Sequence, residues 1–135
     1  MLEFTREGNP AELPGLTLAY IGDAVYELYV RQQMLKKSVK AHTLHQLAVK
    51  RVNNNTQASL LLKLEPKLTE LEKNIARRGR NAKGIVPKNA DVQTYRKSTG
   101  LEALVGYLYL MQDQERLDWV LGQIEEVVNG ADYKL

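Results

Sequence analysis

Residues 16–29 read Leu16-Thr17-Leu18-Ala19-Tyr20-Ile21-Gly22-Asp23-Ala24-Val25-Tyr26-Glu27-Leu28-Tyr29. Apolar side chains recur at Leu18, Ile21, Val25 and Leu28, and gaps of three and four residues describe one face of an α-helix. Pro14, just upstream, suits a helix start. A helix is therefore expected from Leu16 to about Leu35, with Tyr20, Ala24 and Tyr29 beside its apolar face. Asp23 lies within this stretch, on the stripe of Leu16, Tyr20 and Glu27, and its next-turn neighbours Tyr26 and Glu27 offer it no cation.

The same periodicity continues along the chain. A second helix is expected over Thr43 to Arg51, with Leu44, Leu47 and Ala48 inward. The run Asn53-Asn54-Asn55 weakens helix propensity and marks a break before Gln57 to Leu64. Pro66 opens a helix carrying Leu68, Leu71 and Ile75, with Gly79 placed to close it in the left-handed cap conformation. Gly84 and Pro87 make Arg80 to Ala90 a loop. A long helix is expected from about Thr99 to Met111, with Leu101, Leu104, Val105 and Leu108 apolar, and a last one from Gln114 to Val128. Strand patterns are scarce, so the expected fold is all-α, a single domain over residues 1–135.

Composition removes several chemistries. No cysteine is present and histidines number two, which excludes disulfides, thiolate metal sites, a cysteine nucleophile and a three-histidine zinc centre. No apolar run approaches the roughly 20 residues a membrane-spanning helix needs, and the first residues lack a secretory signal pattern. No membrane association and a cytoplasmic location are the expectation. The net charge of +3 hides a strong segregation. No acid occurs between Glu27 and Glu65, where Arg31, Lys36, Lys37, Lys40, Lys50, Arg51 and Lys63 accumulate. From Lys73 to Ala90, Lys73, Arg77, Arg78, Arg80, Lys83 and Lys88 again face no carboxylate. Acid-free basic tracts of this kind attract polyanions, and nucleic acid is the favoured partner over a merely solvated surface.

Two acids stand apart from the polar surface. Asp23 and Glu102 each sit in a strongly apolar helix, where a carboxylate is costly unless something positive compensates it. A divalent cation bridging the two helices would meet that cost, and oxygen donors with no cysteine point to magnesium or manganese. Each has a structural alternative. Thr99-Gly100-Leu101-Glu102 fits a capping box, and Asp23 equally reads as the partner of a basic residue on another helix. Glu27 reads as a solvent-side residue. His42 and His45 lack a carboxylate to complete a metal set and read as surface or capping residues. The tyrosines at 20, 26, 29, 107 and 109 read as core and interface residues.

Ala19-Tyr20-Ile21-Gly22-Asp23-Ala24-Val25-Tyr26-Glu27 resembles the signature helix of the ribonuclease III family. Arg78-Gly79-Arg80-Asn81-Ala82-Lys83 and Pro87 to Arg96 look like one branch of it, Mini-ribonuclease III, and Ser98 to Leu110 completes the match. The resemblance implies a ribonuclease III-like helical bundle and a magnesium-dependent endoribonuclease, with manganese a substitute. It further implies a homodimer that cuts double-stranded RNA, with the large-subunit ribosomal RNA precursor as substrate. Asp23 matches the signature aspartate and Glu102 the later glutamate, so both are expected to be catalytic and to hold metal. Ala19 and Thr99 stand where the wider family has acids, implying a sparser metal shell.

The length leaves no room for a separate double-stranded-RNA-binding domain, so affinity is expected from the nuclease surface: Arg78, Arg80, Lys83 and Lys88, then Lys50 and Arg51. The competing expectation is a non-catalytic RNA-binding ribosome-assembly factor on the same fold. A helical protein-interaction module ranks last, because it explains neither the basic tracts nor the isolated acids.

Overall fold

The computed structural model describes residues 7–82 and 84–130, and its described residues form helices and turns with no strand. The helices are α1 (Gly15–Met34), α2 (Ala41–Val52), α3 (Asn54–Leu64), α4 (Glu70–Arg80), α5 (Val92–Leu110), α6 (Gln114–Leu121) and α7 (Ile124–Asn129), with short 3-10 turns at Pro10–Glu12 and Glu65–Lys67. The all-α expectation holds.

Helix starts are written in side chains. Asn53 Oδ1 accepts the Thr56 N–H at 2.8 Å, so the asparagine run breaks α2 and also caps α3. Thr69 and Glu72 exchange hydrogen bonds in a capping box at the start of α4, leaving Pro66 in the preceding turn. Asp91 caps α5 through the Thr94 N–H at 2.9 Å. That helix therefore begins two turns before Thr99, and Thr99 caps nothing: its hydroxyl donates to the Tyr95 carbonyl at 3.0 Å. The capping-box alternative for Glu102 falls with it. The last expected helix is two, α6 and α7, broken at Gly122 and Gln123.

α5 is apolar around most of its circumference and is the axis of the bundle, packed against α1, α3 and α4. α1 turns Leu18, Gly22, Val25, Tyr26, Val30 and Met34 inward. The expected face is thus rotated: Tyr20 is 78% exposed and Leu28 46%, because the contact with α5 is centred on Gly22. A Cβ on Gly22 would overlap the Glu102 carbonyl oxygen, and one on Gly106 the Leu18 carbonyl oxygen. Two glycines therefore let the backbones of α1 and α5 touch. Gly79 and Gly100 do the same for α4 and α5. Gly79 lies within the helix against Ala103, and is no left-handed cap.

Among the described residues, no helix is long and apolar enough to cross a membrane.

Candidate active site

The close approach at Gly22 and Gly106 sets the chemistry. Asp23 follows Gly22, and Glu102 lies one turn before Gly106, so the contact that brings the helices together also brings the two acids together. Their side chains are within hydrogen-bonding reach of each other. Glu102 is half-buried and its carboxyl is pushed up to about 8, by burial first, then by the hydrogen bond and charge of Asp23, with a smaller contribution from Glu27. Asp23 itself is exposed, which corrects the expectation that it is sequestered. The stripe of Leu16, Tyr20 and Asp23 faces outward, and only Glu102 is withdrawn from water.

A third residue completes the arrangement. Gln57 of α3 is 2% exposed and hydrogen-bonds the Glu102 side chain, opposing the upward shift. Its Oε1 accepts from the Ser98 hydroxyl, which assigns Nε2 as the donor to Glu102. Ser98 Oγ also lies 3.0 Å from Asn54 Oδ1. α1, α3 and α5 thus each contribute to one polar cluster in an apolar bundle. Gln57 and Ser98 were readable as polar residues on inward stripes, Gln57 one turn before Leu61 and Ser98 one turn before Leu101. Composition around each position carried no such signal.

No cation is paired with either acid among the described residues. Glu27, one turn from Asp23, is bound by Arg31 at 3.2 Å. Nor is there any described cluster of three acids or histidines arranged to hold a metal. Ala19 and Thr99 are buried, 6% and 8% exposed, and the Thr99 hydroxyl is committed to its own helix. Two carboxylates facing each other without a cation fit magnesium, which is commonly held by one or two carboxylates while keeping part of its water shell.

The basic candidates divide sharply. Arg51 is 5% exposed, forks onto Glu125 at 2.5 and 3.0 Å, and donates to the Leu47 carbonyl at 2.7 Å. It is a structural tie between α2 and α7 and is withdrawn from any RNA-facing role. Arg78 is half-buried, donates to the Leu13 carbonyl at 2.9 Å and keeps its Nε buried without a partner among the described residues. It therefore anchors the segment before α1. Arg80 is half-buried against Gly100, while Lys50 and Lys88 are exposed. Lys83 lies outside the described residues. His42 and His45 are exposed on α2.

Comparison with known proteins converges. The profile of the ribonuclease III domain matches residues 16–113. The chain is 52% identical over 118 residues to a Mini-ribonuclease 3 of Symbiobacterium thermophilum, covering 86% of this chain and 91% of the relative. It is 48% identical over 122 residues to a Mini-ribonuclease 3 of Desulfitobacterium hafniense, covering 90% of this chain and 78% of that one. A crystal structure of a Fusobacterium nucleatum protein superimposes with a TM-score of 0.78 at 30% identity, covering 85% of this chain and 93% of that chain.

Proposed function

Since the chain belongs to the ribonuclease III family, as an endoribonuclease of the Mini-ribonuclease 3 branch, we propose that it hydrolyses double-stranded RNA with magnesium held by Asp23 and Glu102. The observation that carries this reading is Glu102: a half-buried carboxyl pressed against a second acid, raised to about 8, with no basic side chain to balance it. Held by these two carboxylates, a divalent ion would supply Lewis-acid polarisation of the scissile phosphate and activation of water at neutral pH. The protein's own part is positional. The Gln57 amide, engaged by Ser98, favours the charged form of Glu102, and the glycine contact brings its helix against that of Asp23. Asp23, on the exposed side, is the acid open to incoming substrate. No side chain is required as a covalent nucleophile.

Duplex RNA is read by shape, through phosphates and 2′-hydroxyls across its minor groove. We assign that contact to the nuclease surface itself, to Arg80, Lys88 and Lys50. The substrate is the large-subunit ribosomal RNA precursor, in the cytoplasm. The active form is a homodimer. Leu28 of α1 and Leu35 just after it are exposed, and with Leu44 and Val49 of α2 they line a groove of about 460 Å³. Glu27 and Arg31 border it side by side, a pairing of opposite charges that a two-fold contact with a second copy satisfies reciprocally.

The test is incubation of precursor ribosomal RNA and a plain RNA duplex with the chain, in magnesium and in chelator. Discrete fragments in magnesium alone, with ends mapping to duplex regions of the precursor, are expected. Binding without fragments would favour a non-catalytic role, and undiminished cleavage in chelator would remove the metal.

A further inference from the structure

One small pocket lies outside the acid pair. The end of α4, the segment after it, the start of α1 and the first half of α5 enclose about 80 Å³ between Arg80, Asn81, Tyr95, Arg96 and Thr99, with Leu16 at one wall. That volume suits a tetrahedral oxyanion and is far below the hundreds of Å³ a small organic ligand takes.

Its lining is also of one sign. Arg80 and Arg96 contribute two guanidinium groups, no carboxylate lines it, and neither arginine is in an ion pair among the described residues. The nearest acid in sequence, Asp91, is committed to capping α5 through Thr94. Arg77, exposed on the last turn of α4, adds to the same field. Arg80 is held against Gly100, so its guanidinium is presented from a fixed stem, and the planar fork of arginine matches phosphate oxygens. An exposed Arg96 completes the pair from α5.

The position relative to the acids is informative. Thr99 lies three residues before Glu102, on the same face of α5, and Leu16 lies seven residues before Asp23, on the same face of α1. At 1.5 Å per residue the pocket is about 5 to 10 Å along these helices from the carboxylates. Resting on the reading of the acid pair as the cleavage site, we propose that this pocket seats a phosphate of the same RNA substrate a short step from the cleaved one, gripped by Arg80 and Arg96. Anchoring a neighbouring phosphate fixes the strand in register over Asp23 and Glu102, and holding the reacting group in place is itself a large part of catalysis.

The experiment measures binding of a plain RNA duplex to the full chain in chelator, across a salt series. Wild type, Arg96→Ala, Arg96→Lys and the control Lys67→Ala, an exposed lysine outside both basic tracts, are compared. Arg96→Ala is expected to weaken binding about tenfold at low salt and to flatten the slope of log affinity against log salt by about one. Arg96→Lys retains the slope, and Lys67→Ala matches wild type. In magnesium, KM for Arg96→Ala rises by more than kcat falls. An Arg96→Ala slope and affinity equal to wild type, with wild type still cutting duplex RNA, would overturn the pocket alone. Failure of wild type to bind or cut duplex RNA would overturn the underlying reading as well.

Discussion

Glu72 and Glu102 lie on helices packed against each other, α4 and α5, and both are withdrawn from water. Glu72 is the more deeply buried, at 5% exposure. Burial pushes its carboxyl up, but Arg116 forks onto both oxygens at 2.7 Å and the Thr69 N–H donates at 2.8 Å, and together they hold it below the usual carboxylate range. The Arg116 guanidinium is itself stacked 4.1 Å over Trp119. Glu102 has no such cation: burial first, then the hydrogen bond and charge of Asp23, push its carboxyl up to about 8, and the Gln57 amide only partly opposes the rise. Burial alone therefore does not mark a site. An acid that the protein buries and leaves without a cation of its own does.

The sharpest break in this symmetry is catalytic. Asp23→Asn is expected to lower the single-turnover cleavage rate at least about a thousandfold, since metal placement supplies several kcal/mol and each 1.36 kcal/mol is tenfold. Duplex binding in chelator stays near wild type, and the melting temperature is not lowered, because the variant removes a charge that disfavours the Glu102 carboxylate. Arg116→Ala has the opposite profile: it strands Glu72 in the core and costs about 3 kcal/mol of stability by urea denaturation, with cleavage per folded molecule retained.

Glu102→Gln is expected to stabilise the protein in chelator, on the order of 2 kcal/mol at pH 8, while abolishing cleavage. The folded carboxyl titrates near 8 and an ordinary one near 4.5, so the folded chain holds an extra proton between those values. Its stability in chelator then falls as pH rises through that window, and the variant removes the fall. Glu72 works in reverse. Its lowered carboxyl supports the fold above pH 4.5, and that support is lost as pH falls through the lowered value. Thermal melts of Arg116→Ala against pH should lack this acid limb. The smallest effect belongs to Lys73→Ala, whose i,i+3 partnership with Glu70 is exposed and contributes no more than about 0.5 kcal/mol to the melt.

Helix positions and the two acids were legible because each rests on local signals: apolar spacing, the asparagine run, a carboxylate in an apolar helix. Three features were not. The rotation of α1 depends on Gly22 meeting Glu102 of another helix, so Leu28 and Tyr20 read as inward although they face out. Thr99 and Glu102 have capping-box spacing, yet Asp91 starts the helix two turns earlier and makes the spacing accidental. Arg51 belongs to a basic tract by sequence, while its partner Glu125 lies 74 residues away. Charge runs show where cations are, and only tertiary contacts show which of them are already engaged.

The most direct test of the acid pair is the magnesium dependence of the melting temperature for wild type, Asp23→Asn and Glu102→Gln. Binding to the folded form alone raises stability with concentration by mass action. Wild type should melt progressively higher as magnesium rises, and both variants should lose that dependence while melting cooperatively. An identical magnesium response in all three proteins would contradict the assignment of Asp23 and Glu102 as the residues that hold the ion.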